Sequence, residues 1–261
     1  MRVSADVSNY TGELTPARLQ ELKDLGVDKV IVQIVDPPAG YPVTVWRQQL
    51  LAAWEFGFQL EAYVYLWNSL SFEAQIERAE EKMLVEGWGA AGDIKRLWYD
   101  IEDTSYALPK STLAELMVRA FNSQARWPNG LYTGKWYTDA NLPANWQLPA
   151  HVPLWTAEYD HKPDTKIWTP YLGVSSLYMK QYEGSRELPS GGQIDLNVYD
   201  EAPTSTTMPP LVSLPATQRT GLVGKLWAKE AVGAYATTVE SEWRESPRGP
   251  GWVTVRADFQ L

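Results

Sequence analysis

The feature that most constrains the fold is the alternation of two hydrophobic periods along the first two-thirds of the chain. Short apolar runs at Val3–Ser8, Lys29–Val35, Gln59–Leu66, Arg96–Glu102 and Gly130–Thr133 read as strands. Between them, amphipathic stretches at Ala17–Leu25, Val45–Phe56, Phe72–Glu86 and Thr112–Ala125 read as helices. The punctuation agrees. Thr15-Pro16 supplies an N-cap with proline at the first helical position, Ser71 caps another helix, and Gly26, Gly57 and Gly87 follow the last turns. Lys29–Val35 is almost continuously apolar, as a strand covered on both faces must be. Alternating units of this kind predict a parallel sheet wrapped by helices.

Three further runs, Val152–Thr156, Leu177–Gln181 and Gln193–Leu196, continue the strands. The segments between them are rich in Pro, Trp and Asp and lack helical periodicity. Eight strands predict an α/β protein with an irregular (β/α)8 barrel of the TIM type, its helices weak or missing in the second half. A doubly wound open sheet fits less well, because no glycine-rich phosphate turn follows the first strand. Residues 1–201 are therefore assigned to the barrel and Ala202–Thr217, rich in Pro, Ser and Thr, to a linker. Residues 218–261 are assigned to a small C-terminal module. In it, Leu222–Val239 is Ala-rich but broken by Gly224 and Gly233, and Trp252–Val255 reads as a strand after the Pro247–Gly251 turn. Wall binding, oligomerisation and bracing of the barrel are all compatible with that module.

Composition removes several chemistries. There is no cysteine, hence no disulfide, thiol nucleophile or thiolate metal site. His151 and His161 are the only histidines and sit in loop-like segments, so neither a histidine triad nor a His-rich metal centre is expected, and no cofactor is. The net charge is −9, which argues against a nucleic-acid partner. Residues 1–203 hold 17 Lys+Arg against 27 Asp+Glu, and residues 204–261 hold 6 against 5, so the acidity belongs to the barrel. No apolar run reaches the roughly 20 residues of a membrane span. Met1-Arg2 leads straight into a strand, with no signal peptide visible.

Carboxylates are left to do any catalysis. Within Trp98-Tyr99-Asp100-Ile101-Glu102-Asp103, strand alternation puts Asp100 and Glu102 on one face and Tyr99 and Ile101 on the other. Two like charges on a largely buried face raise the pKa of one of them, as a general acid near neutral pH requires. Parallel barrels carry their sites at the C-terminal strand ends. Asp6 in the first strand and Asp195 in the eighth then approach the same mouth, although each also suits a turn. Asp36, before Pro37-Pro38, reads as loop chemistry, and Asp103 faces away from Glu102 and reads as structural. Thirteen Trp and 14 Tyr fill a core or offer stacking faces to sugar rings.

Ala5-Asp6-Val7-Ser8-Asn9-Tyr10-Thr11-Gly12 resembles the DVSxxxG opening of the family-25 glycoside hydrolases, the Chalaropsis-type lysozymes. Leu97–Glu102 is similar to that family's catalytic DxE strand, and Leu131-Tyr132-Thr133 with Trp136 to its next strand. Pro153–Tyr159 resembles its lWiAxY segment, and Gln181-Tyr182 with Ile194–Asn197 its QYs…vDlN ending. The five motifs occur in order over residues 1 to about 200. The third strand, Ala62–Trp67, departs from the pattern by lacking a histidine, and the second runs into Asp36 instead of a glutamate.

The resemblance implies cleavage of the β-1,4 bond between N-acetylmuramic acid and N-acetylglucosamine in peptidoglycan. Glu102 would be the general acid/base and Asp100 its assistant, with Asp6 and Asp195 shaping the charge around them. Tyr132, Trp155, Tyr159 and Gln181 would line the glycan groove, joined as substrate-binding candidates by Tyr10, Tyr63, Tyr65, Trp67 and Trp136. The resemblance places the action at a bacterial cell wall, as for a phage lysin released through a separate pore or a wall-remodelling hydrolase. Two alternatives stay open: a hydrolase of another N-acetylated glycan, and a non-catalytic glycan-binding or virion protein on the same barrel.

Overall fold

The computed structural model describes residues 1–34, 45–89, 93–123 and 125–200, and the backbone of two later strands. Asp36, Ala202–Thr217 and Leu222–Val239 lie outside the described residues. Eight strands close into a barrel in chain order: β1 (Arg2–Val7), β2 (Val27–Gln33), β3 (Gln59–Tyr65), β4 (Leu97–Asp100), β5 (Asn129–Gly134), β6 (Leu154–Ala157), β7 (Met179–Glu187) and β8 (Gln193–Tyr199). This is the α/β barrel that the alternating pattern predicts.

Helices α1 (Pro16–Asp24), α2 (Trp46–Glu55), α3 (Phe72–Val85) and α4 (Lys110–Asn122) cover its first half. Thr15 caps α1 by accepting a hydrogen bond from the Arg18 N–H, and Ser71 caps α3 by accepting from that of Ala74. Gly26, Gly57 and Gly87 end the first three helices at φ of 77°, 81° and 84°, where a side chain would be strained. The helix stripes, such as Ile76, Ala79 and Met83, bury themselves with the outward strand residues Leu97, Tyr99 and Ile101 in one hydrophobic layer. Among the described residues only the short α5 (Lys135–Asn141) follows β5, and no helix lies between β6 and β7. The sequence pattern does not reveal α5, because seven residues are too few to display a helical period.

One expectation is corrected. The sheet is not wholly parallel: β1 to β7 run parallel, but β8 is antiparallel to both β7 and β1. Only Leu188–Gly192 joins β7 to β8, and a parallel crossover needs about a dozen residues or more. A hairpin is the connection this length allows. Strand ends shift as well. β4 stops at Asp100, two residues before Glu102, whereas β7 and β8 run on to Glu187 and Tyr199.

A second core fills the barrel itself, made of Ile31, Tyr63, Trp98, Tyr132, Trp155, Met179 and Tyr199. Trp98 and Trp155 meet edge to face with ring centroids 5.5 Å apart. A Cβ on Gly130 would come within 2.5 Å of the Trp98 ring, so only glycine lets that indole lie across β5. Below the indoles, Lys29 Nζ pairs with Glu61 Oε1 at 2.8 Å, and the other Glu61 oxygen accepts from Trp98 Nε1 at 2.6 Å. The Lys29 ammonium also stands 3.7 Å from the Tyr199 ring centre. This buried ion pair sets the Trp98 indole, against which Trp155 packs.

Contacts divide the chain into Met1–Ser205 and Thr206–Leu261. In the second unit, β9 (Glu242–Glu245) pairs antiparallel with β10 (Val253–Arg256).

Candidate active site

Four carboxylates reach the barrel mouth from three strands. Asp6 lies near the C-terminal end of β1, and its Cα partner across the β1–β8 pair is Asp195. Asp195 stands near the start of β8, and the reversal of that strand is what brings its N-terminal end to the mouth. Asp100 ends β4, facing Tyr65 of β3 and Tyr132 of β5. Glu102 follows two residues later. The structure thus gathers Asp6, Asp100, Glu102 and Asp195 at one end of the barrel, with Asp6 and Asp100 buried and the other two partly open to water.

Their surroundings differ. Gln181 Nε2 donates to Asp6 Oδ2 at 3.0 Å and to Asp195 Oδ2 at 2.9 Å. Its Oε1 accepts from the hydroxyls of Tyr132 at 2.6 Å and Tyr159 at 3.0 Å. Every donor and acceptor of that amide is used, so its orientation is fixed. Asn197 Nδ2 donates to Asp6 Oδ2 at 2.9 Å while its Oδ1 accepts from Trp155 Nε1 at 2.8 Å. The Ser185 N–H donates to Asp195 Oδ1. Asp6 and Asp195 are therefore well supplied with donors. Asp100 is the opposite: its buried Oδ1 has no hydrogen-bond partner. Among the described residues, no group donates to the Glu102 carboxyl either.

These surroundings act on the protonation of all four groups. Burial pushes all four carboxyls above the ordinary range. The charge of Asp195 adds to the effect on Asp6 and on Glu102, and the charges of Glu102 and Asp6 add to that on Asp100. Hydrogen bonds from Asn197 and Gln181 counteract it at Asp6, and those from Ser185 and Gln181 at Asp195. No donor counteracts it at Asp100 or Glu102. The site thus separates into a donor-supported pair, Asp6 and Asp195, and an unsupported pair, Asp100 and Glu102.

A stability signature follows. A carboxyl whose folded pKa exceeds its unfolded value binds protons preferentially in the folded state between the two. Stability then falls as pH rises from about 4 through the raised folded value. Asp100→Asn removes that penalty, so its melting temperature relative to the parent climbs between pH 4 and pH 8. Thermal unfolding across that range reads the difference, and a pH-independent offset would contradict the assignment.

The aromatic candidates fall in three places. Tyr63 and Tyr132 lie inside the mouth, both buried. Tyr65 and Trp67 pack edge to face with centroids 4.9 Å apart on the rim. Tyr10, Trp136 and Tyr159 are exposed at 88%, 56% and 54%, free to stack on a ligand. Trp155 is 1% exposed and sits beneath Tyr63 and Tyr132, so it floors the site and offers no face to a groove. An open cleft on the β1–β8 side is lined by residues including Asp6, Ser8, Tyr10, Thr11, Tyr63 and Asp195. Sequence reasoning does not single out Ser185 or Asn197. Asn197 was findable, since it is two residues from Asp195 and shares its strand face. Asp103 is structural, as its position predicts, accepting from the N–H groups of Asn68 and Ser105. No cluster of three or more acidic or histidine side chains suited to a metal ion occurs among the described residues.

Residues 5–190 match the model of the family described as glycosyl hydrolases family 25. The muramidase from Acremonium alcalophilum is similar in structure, with a TM-score of 0.62 and 18% identity over 78% of this chain and 95% of that one. A family GH25 lysozyme from Aspergillus fumigatus is similar at a TM-score of 0.61 and 17% identity, over 78% and 95% of the two chains. The modular autolysin LytC from Streptococcus pneumoniae, solved with a synthetic peptidoglycan ligand, gives 0.54 and 15%, over 76% of this chain and 46% of its own. No curated protein sequence matches significantly. At these identities the structural likenesses establish the fold alone.

Proposed function

Because this chain belongs to glycosyl hydrolase family 25, and is therefore a glycoside hydrolase, we propose that it cleaves the β-1,4 bond between N-acetylmuramic acid and N-acetylglucosamine in peptidoglycan. Glu102 is the general acid/base and Asp100 its assistant. The observation that carries this reading is the unequal treatment of the four carboxyls. Glu102 is raised in pKa, reachable from solvent and not engaged by any protein donor among the described residues. A proton held there is free for a substrate oxygen.

The chemistry balances with these groups. Glu102 gives its proton to the glycosidic oxygen as the bond to the anomeric carbon breaks and the leaving sugar departs as an alcohol. The substrate's own acetamido oxygen closes on that carbon, forming an oxazolinium-like ring. The orphaned Asp100 Oδ1 is an acceptor waiting for the acetamido N–H. Water then adds at the anomeric carbon, giving its proton back to Glu102 and reopening the ring. Asp100 serves this route by stabilising the ring, or it positions the water. Asp6 and Asp195, held by Gln181, Asn197 and the Ser185 N–H, shape the charge and hydrogen bonding around the reacting centre. Tyr10, Trp136 and Tyr159 supply stacking faces, and Tyr65 and Trp67 the rim.

The names of the neighbours support the substrate class: a muramidase, lysozymes, an endolysin, and an autolysin holding a peptidoglycan ligand. The site of action is then the bacterial wall, and no helix among the described residues is long and apolar enough to cross a membrane. Residues 1–201 act as the hydrolase, 202–217 as the linker and 218–261 as an accessory module. The test is digestion of purified peptidoglycan by the full chain, with borohydride reduction and mass spectrometry of the products. Reduced muramic acid at the new ends is the expected result. Reduced glucosamine would overturn the bond assignment, and no new reducing ends would favour a binding protein on this barrel.

A further inference from the structure

The Glu102 carboxyl lacks a protein partner, yet the chain on either side of it is held tightly. On the N-terminal side, the Ile101 N–H donates to the Tyr132 carbonyl at 3.0 Å, and Thr133 Oγ1 donates to the Ile101 carbonyl at 2.8 Å. On the C-terminal side, Asn68 grips Asp103 twice. Its backbone N–H donates to Asp103 Oδ2 at 2.8 Å and its Nδ2 to the Asp103 carbonyl at 2.7 Å. Tyr137 Oη donates to the same carbonyl at 3.3 Å. Asn68 Nδ2 also reaches the Tyr106 carbonyl at 3.1 Å and the Tyr137 hydroxyl at 3.2 Å, tying the loop after β4 to α5. Asn68 is 7% exposed and Thr133 fully buried, so neither bond competes with water.

We propose that Asn68 and Thr133 are positioning residues for Glu102, locking the backbone on its two flanks so that its carboxyl is fixed in the mouth without being hydrogen-bonded. The inference rests on Glu102 being the acid of the proposed reaction. A side-chain donor to Glu102 would fix it equally well, but it would also stabilise the carboxylate and strip the acid of its proton near neutral pH. Clamping the backbone separates the two demands. Asn68 and Thr133 come from the chain after β3 and from β5, so the acid is registered against both strands flanking β4.

Two full-chain variants test this. Asn68→Ala removes the amide grip on the Asp103 side, and Thr133→Val removes one hydroxyl on the Ile101 side while keeping its shape. The groups facing Glu102 are Asp100 on β4, Asp195 on β8, the phenols Tyr63 and Tyr65 on β3, Tyr132 on β5 and Tyr137 on α5, and Tyr159 after β6. None of them is substituted; Asn68→Ala also removes a hydrogen bond to the Tyr137 hydroxyl, which Thr133→Val leaves in place. Each variant is expected to lower kcat on peptidoglycan about 10–100-fold with KM changed less than about twofold, since a displaced acid misaligns the reaction and not the glycan. The alkaline limb of the rate profile moves to lower pH, because a loosened Glu102 lies closer to water. Carbon NMR titration of Glu102 shows the same downward shift without substrate. Unchanged kcat and an unchanged Glu102 titration in the folded variants would overturn the proposal. Should Asn68→Ala fail to fold, Thr133→Val decides alone. Should the parent cut no glycan, the proposed function falls, and the titration still judges the clamp.

Discussion

Glu102→Gln lowers the rate of peptidoglycan cleavage by about 10²–10⁴-fold and leaves the fold intact, the range that general acid catalysis contributes. The size follows from the surroundings of this side chain. Glutamine has the same shape, and Glu102 makes no hydrogen bond to the described protein that the amide would break. The substitution therefore removes the transferable proton and almost nothing else. It also removes a carboxyl whose charge raises Asp100, so stability near neutral pH holds or improves. Initial rates of reducing-end release measure the first effect, and thermal unfolding the second. A variant that still cuts at more than about a tenth of the parent rate would move the acid to another residue. Asp100 would be the first to examine, because it too lacks a protein donor.

Lys29→Met is expected to destabilise the barrel by about 3–5 kcal/mol, the cost of stranding one member of a buried ion pair. Lys29 and Glu61 have side chains 3% and 2% exposed, with 2.8 Å between Nζ and Oε1. Methionine fills the space of the lysine stem but leaves Glu61 to carry a charge in an apolar barrel. Adding Glu61→Gln to Lys29→Met recovers a large part of the loss, because the amide oxygen can still accept from Trp98 Nε1. Denaturant unfolding of the single and double variants checks this. Equal stability of the two would show that the lost packing of the lysine, and not the stranded charge, sets the cost.

How much of this was legible in the sequence depends on the range of the interaction. Ser71, Gly26, Gly57 and Gly87 act within a turn of their own helices, and the first three helices lie where those signals put them. The Asp100–Glu102 face follows from strand alternation. The direction of β8 does not follow from local pattern, since a buried strand reads the same either way. Only the brevity of Leu188–Gly192 betrays the hairpin. Trp155 was readable as an aromatic at a strand end, but not as a floor residue. Its depth is set by Asn197 and by the rings of Tyr63, Trp98 and Tyr132 around it. Asn68 is illegible for a similar reason. A lone asparagine after a strand announces a turn, and its partners lie 35 to 69 positions away.

The reversal of β8 also bears on when the enzyme comes into being. Asp195 and Gln181 arrive together on one hairpin, which closes quickly from local contacts. Asp6 joins them last, through an amide 191 positions away at Asn197. A chain emerging from the ribosome therefore holds its first carboxyl idle until the final strand of the ring has been made. A product truncated before that strand lacks Asp195 and Asn197 and leaves Asp6 without either partner.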